Sequence, residues 1–91
     1  MKRIGLIRNR HQMPVDDFIF DVIDDVTDLD WLHQVSLDKL KCLSSDKLGI
    51  YVTGLSTALV AALNACRYLG IDVELYHYNR DTDSYYAQQV L

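Results

Sequence analysis

The chain has 91 residues, is 49% hydrophobic and carries a net charge of −4. That length fits one domain, and the apolar content excludes a disordered chain. No apolar run approaches the roughly 20 residues that span a bilayer, so no membrane association is expected. Residues 16–30 hold Asp16, Asp17, Asp21, Asp24, Asp25, Asp28 and Asp30 with no base. That excludes a long duplex nucleic acid as partner, because such a partner needs a broad basic face.

The opening MKRIGLIRNR has basic residues but no apolar stretch of signal-peptide length, since Arg8 and Arg10 interrupt it. A cytoplasmic protein is expected. Cys42 and Cys66 match no zinc or redox spacing and read as buried, reduced spectators.

In chain order, RIGLIR (3–8) predicts a short buried strand, with Gly5 permitting close approach. A loop, NRHQMP, follows. FIFDVI (18–23) predicts a second strand. Two short helical pieces are then expected, WLHQV capped by Asp30 and LDKLKCL capped by Ser36. LGIYVT (48–53) is continuous and apolar, as in a strand covered on both faces. Gly54 makes a turn. A helix runs from Ser56 or Thr57 to Leu69, with Leu59, Leu63, Cys66 and Leu69 beside Ala62 as its apolar stripe, and Gly70 ends it. DVELYHY (72–78) is the next strand, 79–84 a turn, and SYYAQQV (84–90) the return strand of a hairpin. The expected fold is a single α/β domain over residues 1–91: a small, mostly parallel Rossmann-like sheet with a C-terminal antiparallel hairpin.

Open α/β sheets take ligands beyond the carboxyl ends of their strands. There this sequence places Arg8, Asn9, Arg10 and His11 after the first strand. Thr53, Gly54, Leu55, Ser56 and Thr57 follow the third, and Asn79 and Arg80 the fourth. A helix start has unpaired N–H groups and partial positive charge. Gly54 blocks nothing, the hydroxyls donate, an arginine supplies a fork, and His11 titrates near neutrality. The pattern points to a small phosphate-containing ligand. The plainer reading takes Gly54 as a simple turn and Ser56 or Thr57 as an ordinary N-cap, because the capping preference alone explains TGLST, which lacks the lysine of a P-loop and is no GxGxxG. The acidic run lacks EF-hand spacing and reads as a solvated face, so no metal and no cofactor are expected. Tyr76, Tyr78, Tyr85 and Tyr86 fit base stacking, a hairpin surface or a dimer interface alike.

The R-x-RH loop, the strand ending in VTGLST, the alanine-rich helix and the final strand with its polar tail together resemble small stand-alone CRISPR-associated proteins. These have a CARF-like core and ring-nuclease-like members. In one such family an Arg-His-Pro-Gly-Ala loop follows the first strand and a Gly-Leu-Pro-like turn precedes the helix. The counterparts here are RNRHQMP and VTGLST. Gln12-Met13-Pro14 after His11, and Ser56 in place of proline, depart from that pattern. The resemblance implies a homodimer in antiviral defence that binds, with or without metal-independent cleavage, a cyclic oligonucleotide second messenger. Arg8, Arg10 and the helix start would hold phosphates. His11 would be the catalytic proton donor or acceptor, and Ser56 or Thr57 would orient the scissile phosphate. The contrasting expectation is a non-enzymatic interaction module of phage or host defence, acting through its acidic segment or its tyrosine-rich hairpin. A third is a metal-dependent hydrolase using the aspartates. The hairpin 72–90 is the expected self-association surface.

Overall fold

The apolar runs form strands and the helical-period stretches form helices, in the order β1 (Lys2–Ile7), β2 (Phe18–Phe20), α1 (Leu29–Leu43), β3 (Lys47–Tyr51), α2 (Ser56–Leu69), β4 (Asp72–Asn79) and β5 (Ser84–Gln89). The computed structural model describes residues 1–8 and 12–90. The strands make one five-stranded sheet, ordered β2-β1-β3-β4-β5. All neighbours are parallel except β4 and β5, so the expected α/β class and terminal hairpin are present.

Chain direction decides how the faces are covered. The crossovers β2–α1–β3 and β3–α2–β4 both travel the same way across the sheet. Right-handed connections then put both helices on one face, where α1 and α2 pack against each other. Beneath them lie Ile4, Leu6, Leu48, Ile50, Val73 and Leu75, all at most 4% exposed. The β1–β2 connection travels the opposite way and supplies cover on the far face. There Met13, Tyr51 and Tyr76 form a second cluster with Val15, Phe18 and Tyr85. Two glycines make room for its rings. A Cβ on Gly5 would lie 2.5 Å from Phe18 Cδ1, and one on Gly49 would lie 2.5 Å from Tyr76 Cε2.

Several local expectations are corrected. The two short helices are one, Leu29–Leu43, capped by Asp28, whose carboxylate accepts from Trp31 N–H at 3.2 Å. Ser36 does not start a helix. It is fully buried inside α1 and its hydroxyl donates to Leu32 O at 2.8 Å, the back-bond that lets a serine sit in a helix interior. Leu32, Ser36, Leu37 and Leu40 share the buried face, so packing carries the helix through the expected break. The second strand stops at Phe20 and the third at Tyr51. On α2 the fully covered positions are Ala58, Ala61, Ala62, Ala65 and Cys66, while Leu59, Leu63 and Leu69 are only partly covered. Small side chains let this helix sit close, which moves the leucines to its flanks. Gly70 does end α2, at φ 71°, with Ile71 N–H reaching back to Cys66 O at 2.9 Å.

The cysteines also divide. Cys66 is buried, and burial pushes its thiol up to about 11, whereas Cys42 is exposed, contrary to expectation. The native protein should therefore give one fast thiol equivalent with a disulfide reagent, the second reacting only on denaturation. Two fast equivalents would contradict the packing of α2.

A charged strap joins the β2 end to α1. Lys39 Nζ donates to Asp17 Oδ1 at 2.7 Å, and this hydrogen bond holds the Asp17 carboxyl below its ordinary value of 3.8. A depressed acid stabilises the fold above its unfolded pKa, and the contribution is lost as pH falls through the folded value. Both side chains are about one-third exposed or more, so the effect should be small. Wild type should lose slightly more stability than Asp17→Asn between about pH 5 and 2. Parallel melting curves across that range would contradict this.

Candidate functional site

Parallel register sets the carboxyl ends of β1, β3 and β4 along one rim. Asn9, Arg10 and His11, which the sequence reading placed there, lie outside the described residues. Arg8 stands at the end of β1 but is engaged. Its Nε donates to Asp21 Oδ1 at 2.7 Å, and its guanidinium lies 4.8 Å from the Phe18 ring centroid. It forms a surface ion pair and a cation–π contact, so it is no unencumbered phosphate fork.

The β3–α2 turn is unusual in what it leaves open. Gly54 is exposed, with no atom within 4 Å of the place a Cβ would occupy. Its φ is not in the left-handed region, so the turn itself does not require glycine. Leu55 is the N-cap residue of α2 and gives no side-chain hydrogen bond. The expectation that Ser56 or Thr57 caps the helix is thus corrected: both lie within its first turn. The first N–H groups of a helix have no intrahelical acceptors, and no side chain among the described residues serves them here. The hydroxyls of Thr53 and Thr57 are buried and lack a hydrogen-bond partner among the described residues. Buried polar atoms are nearly always paired. Two buried hydroxyls with no partner among the described residues thus stand beside a helix start that has no side-chain cap from its N-cap residue.

The remaining residues fall into two depressions. One, about 430 Å³, lies between the helices and is lined by Ser56, Thr57, Val60, Ala61 and Asn64 of α2 with Leu29, Asp30 and His33 of α1. The other, about 730 Å³, is lined by Gln12, Met13 and Pro14 with Tyr78, Arg80, Asp83 and Tyr85. Arg80 thus lines the same depression as residues 12–14. Asn79 takes part in the turn itself: its Oδ1 accepts from Asp81 N–H at 3.0 Å. Tyr85 Oη donates to Gln12 O at 3.2 Å and ties the hairpin to that loop. Tyr78 Oη donates to Asp83, a bond that raises the Tyr78 hydroxyl, while burial raises that of Tyr85. Both hydroxyls stay protonated donors near neutrality. The aromatic rings pair with one another. Tyr51 lies 4.8 Å from both Tyr76 and Tyr85, and Tyr78 lies 5.5 Å from Tyr85.

Sequence reasoning missed His33 and Asp30. Asp30 was expected only as a helix cap and His33 was not singled out; they stand exposed and half-buried, respectively, and line the depression beside the start of α2. Their i, i+3 spacing in the first turn of one continuous helix was the available signal, hidden by the expected break at Ser36. Comparison with protein-family models, curated proteins and solved structures finds no match for this chain.

Proposed function

We propose that this chain is a CARF-like, Rossmann-type module. It binds a small phosphate-containing ligand of the cyclic-oligonucleotide class at the carboxyl rim of its sheet. The observation that supports this best is the start of α2: an open Gly54, a leucine N-cap with no side-chain cap, and two threonine hydroxyls with no partner among the described residues. One phosphate would take the helix N–H groups and the Thr57 hydroxyl. A second would reach Arg80 across the rim, with Arg10 as a further cation from the same loop. Cleavage, where it follows binding, would be in-line attack of a ribose 2′-hydroxyl on its neighbouring phosphate, breaking the bond from phosphorus to the next nucleotide's 5′-oxygen, leaving a 2′,3′-cyclic phosphate and releasing a protonated 5′-hydroxyl. His11 would accept or donate the proton, and Ser56 would orient the phosphate.

Thermal melting against cyclic di-, tri-, tetra- and hexanucleotides, with linear nucleotides and sulfate as controls, tests this reading. A ligand at a hundred times its Kd adds about 2.7 kcal/mol, and each kcal/mol raises the midpoint of a domain this size by roughly 4–8 °C. A shift for one ring size supports the reading. No shift across the panel sinks it.

A second reading is a protein-interaction module. It is favoured by the exposure of Val22 (70%), Leu29 (60%) and Trp31 (40%) among Asp24, Asp25 and Asp28. Partner capture that is lost when the three aspartates are neutralised, in a protein with no ligand-induced shift, would select it.

A further inference from the structure

The depression between the helices extends beyond the phosphate contacts of the α2 start. Its walls come from two elements: Leu29, Asp30 and His33 on α1, and Val60, Ala61 and Asn64 on α2. Its volume, about 430 Å³, lies within the roughly 300–1,000 Å³ of small-ligand sites. Leu29 is 60% exposed and Val60 is 55% exposed, although the helices that carry them pack against each other. Two aliphatic side chains left open on the two walls suit a flat apolar body between them. Thr57 lines the same depression with a buried hydroxyl that has no partner among the described residues. Ser56, Val60 and Asn64 recur every four residues and line the depression along α2. From Ser56 to Asn64 the helix rises about 12 Å, which matches the reach from a nucleotide's phosphate to the far edge of its own base.

Among the described residues, the side chains of Asp30, His33 and Asn64 make no hydrogen bond or ion pair. No lysine or arginine is among the described residues that line the depression, and Asp30 supplies a carboxylate. A carboxylate accepts hydrogen bonds and donates none. The ligand edge beside Asp30 must therefore donate. Because the carboxylate has two oxygens, an edge with two adjacent N–H groups fits it best.

We propose that this depression is the base subsite for the nucleotide whose phosphate sits at the start of α2, and that the base it takes is guanine. The inference rests on the ligand reading above and adds the identity of the base. Guanine presents N1–H and the N2 amino group side by side, two donors for the two oxygens of Asp30. Its opposite edge presents O6 and N7, acceptors for the Asn64 amide. Leu29 and Val60 cover its faces. Each of the other bases sets an acceptor against the carboxylate. Adenine has the N1 lone pair beside its amino group, cytosine has N3, and uracil has a carbonyl on each side of its single N–H. A mismatch of this kind discriminates as well as attraction does.

Isothermal titration calorimetry with cyclic di-, tri- and tetranucleotides, each made with guanine, adenine or uracil, tests it. The guanine ring of the best-fitting size should bind at least about 10-fold more tightly than the adenine and uracil rings of that size. Asp30 is exposed, so Asp30→Asn should keep the far-UV spectrum while reducing this preference to within about threefold. It should also reverse the choice between guanine and xanthine rings, because xanthine replaces the N2 amino group with a carbonyl to which the new amide donates. Asp24→Asn removes the same charge outside the depression and should leave both preferences as in wild type. Equal affinity for guanine and adenine rings overturns the inference and leaves the phosphate site standing. So does a guanine preference that survives Asp30→Asn, or one that Asp24→Asn removes equally. Binding of no ring overturns the inference together with the ligand reading.

Discussion

Gly49→Val is expected to lower the melting midpoint by roughly 4–24 °C, one of the largest single-site effects in the molecule. Gly49 lies in the central strand β3, paired with Arg3 and Glu74. Any Cβ there meets the Tyr76 ring at 2.5 Å. That ring cannot swing away freely. It is 8% exposed, its Oη donates to Glu74, the Arg3 guanidinium lies 5.4 Å from its centroid, and Tyr51 packs 4.8 Å away. Overpacking a site of this kind costs about 1–3 kcal/mol, and each kcal/mol moves a small domain by several degrees. The same change at Gly54, which meets nothing within 4 Å, should leave the midpoint within a few degrees of wild type. Equal losses at Gly49 and Gly54 would show that Tyr76 does not lie over Gly49. Calorimetry of the two variants settles the comparison.

Thr57→Val carries the second large effect, on binding rather than stability. Valine keeps the shape and removes a buried hydroxyl that has no partner among the described residues. Because the lost group makes no hydrogen bond to any described residue, the free protein should be unchanged or up to about 1 kcal/mol more stable. With ligand bound, that hydroxyl would donate to a charged phosphate oxygen, a bond worth about 1.5–3 kcal/mol. The expected result is a loss of roughly 10- to 100-fold in affinity. Affinity within threefold of wild type, or a drop of more than a few degrees in the midpoint of the free protein, would contradict the role assigned to Thr57.

Much of the layout was legible in residues 48–78, because a continuous apolar strand, an alanine-rich helical stretch and a C-terminal glycine leave few alternatives. The break expected at Ser36 was wrong for a physical reason. A serine is a favoured cap only where its hydroxyl has no better acceptor, and tertiary packing of Leu32, Leu37 and Leu40 offered it Leu32 O instead. No local pattern could show that both helices share one face. That follows from strand order, a long-range property, and it explains why tyrosines rather than a helix line the far side. The site was legible only in part. The rim assignment of Thr53, Gly54, Thr57 and Arg80 agrees with their positions after β3 and β4. The ion pair that engages Arg8 depends on Asp21, thirteen residues away, and the split into two depressions depends on where α1 begins.

The measurement that bears most directly on the ligand site is a titration of the ¹⁵N-labelled protein with the same cyclic oligonucleotide panel, followed by amide chemical shifts. One ring size should move the amides of residues 53–58 most, with smaller movements at residues 78–85 on the other side of the rim. Shifts confined to residues 22–31, or none at any ring size, would contradict it and leave the glycine turn as architecture alone.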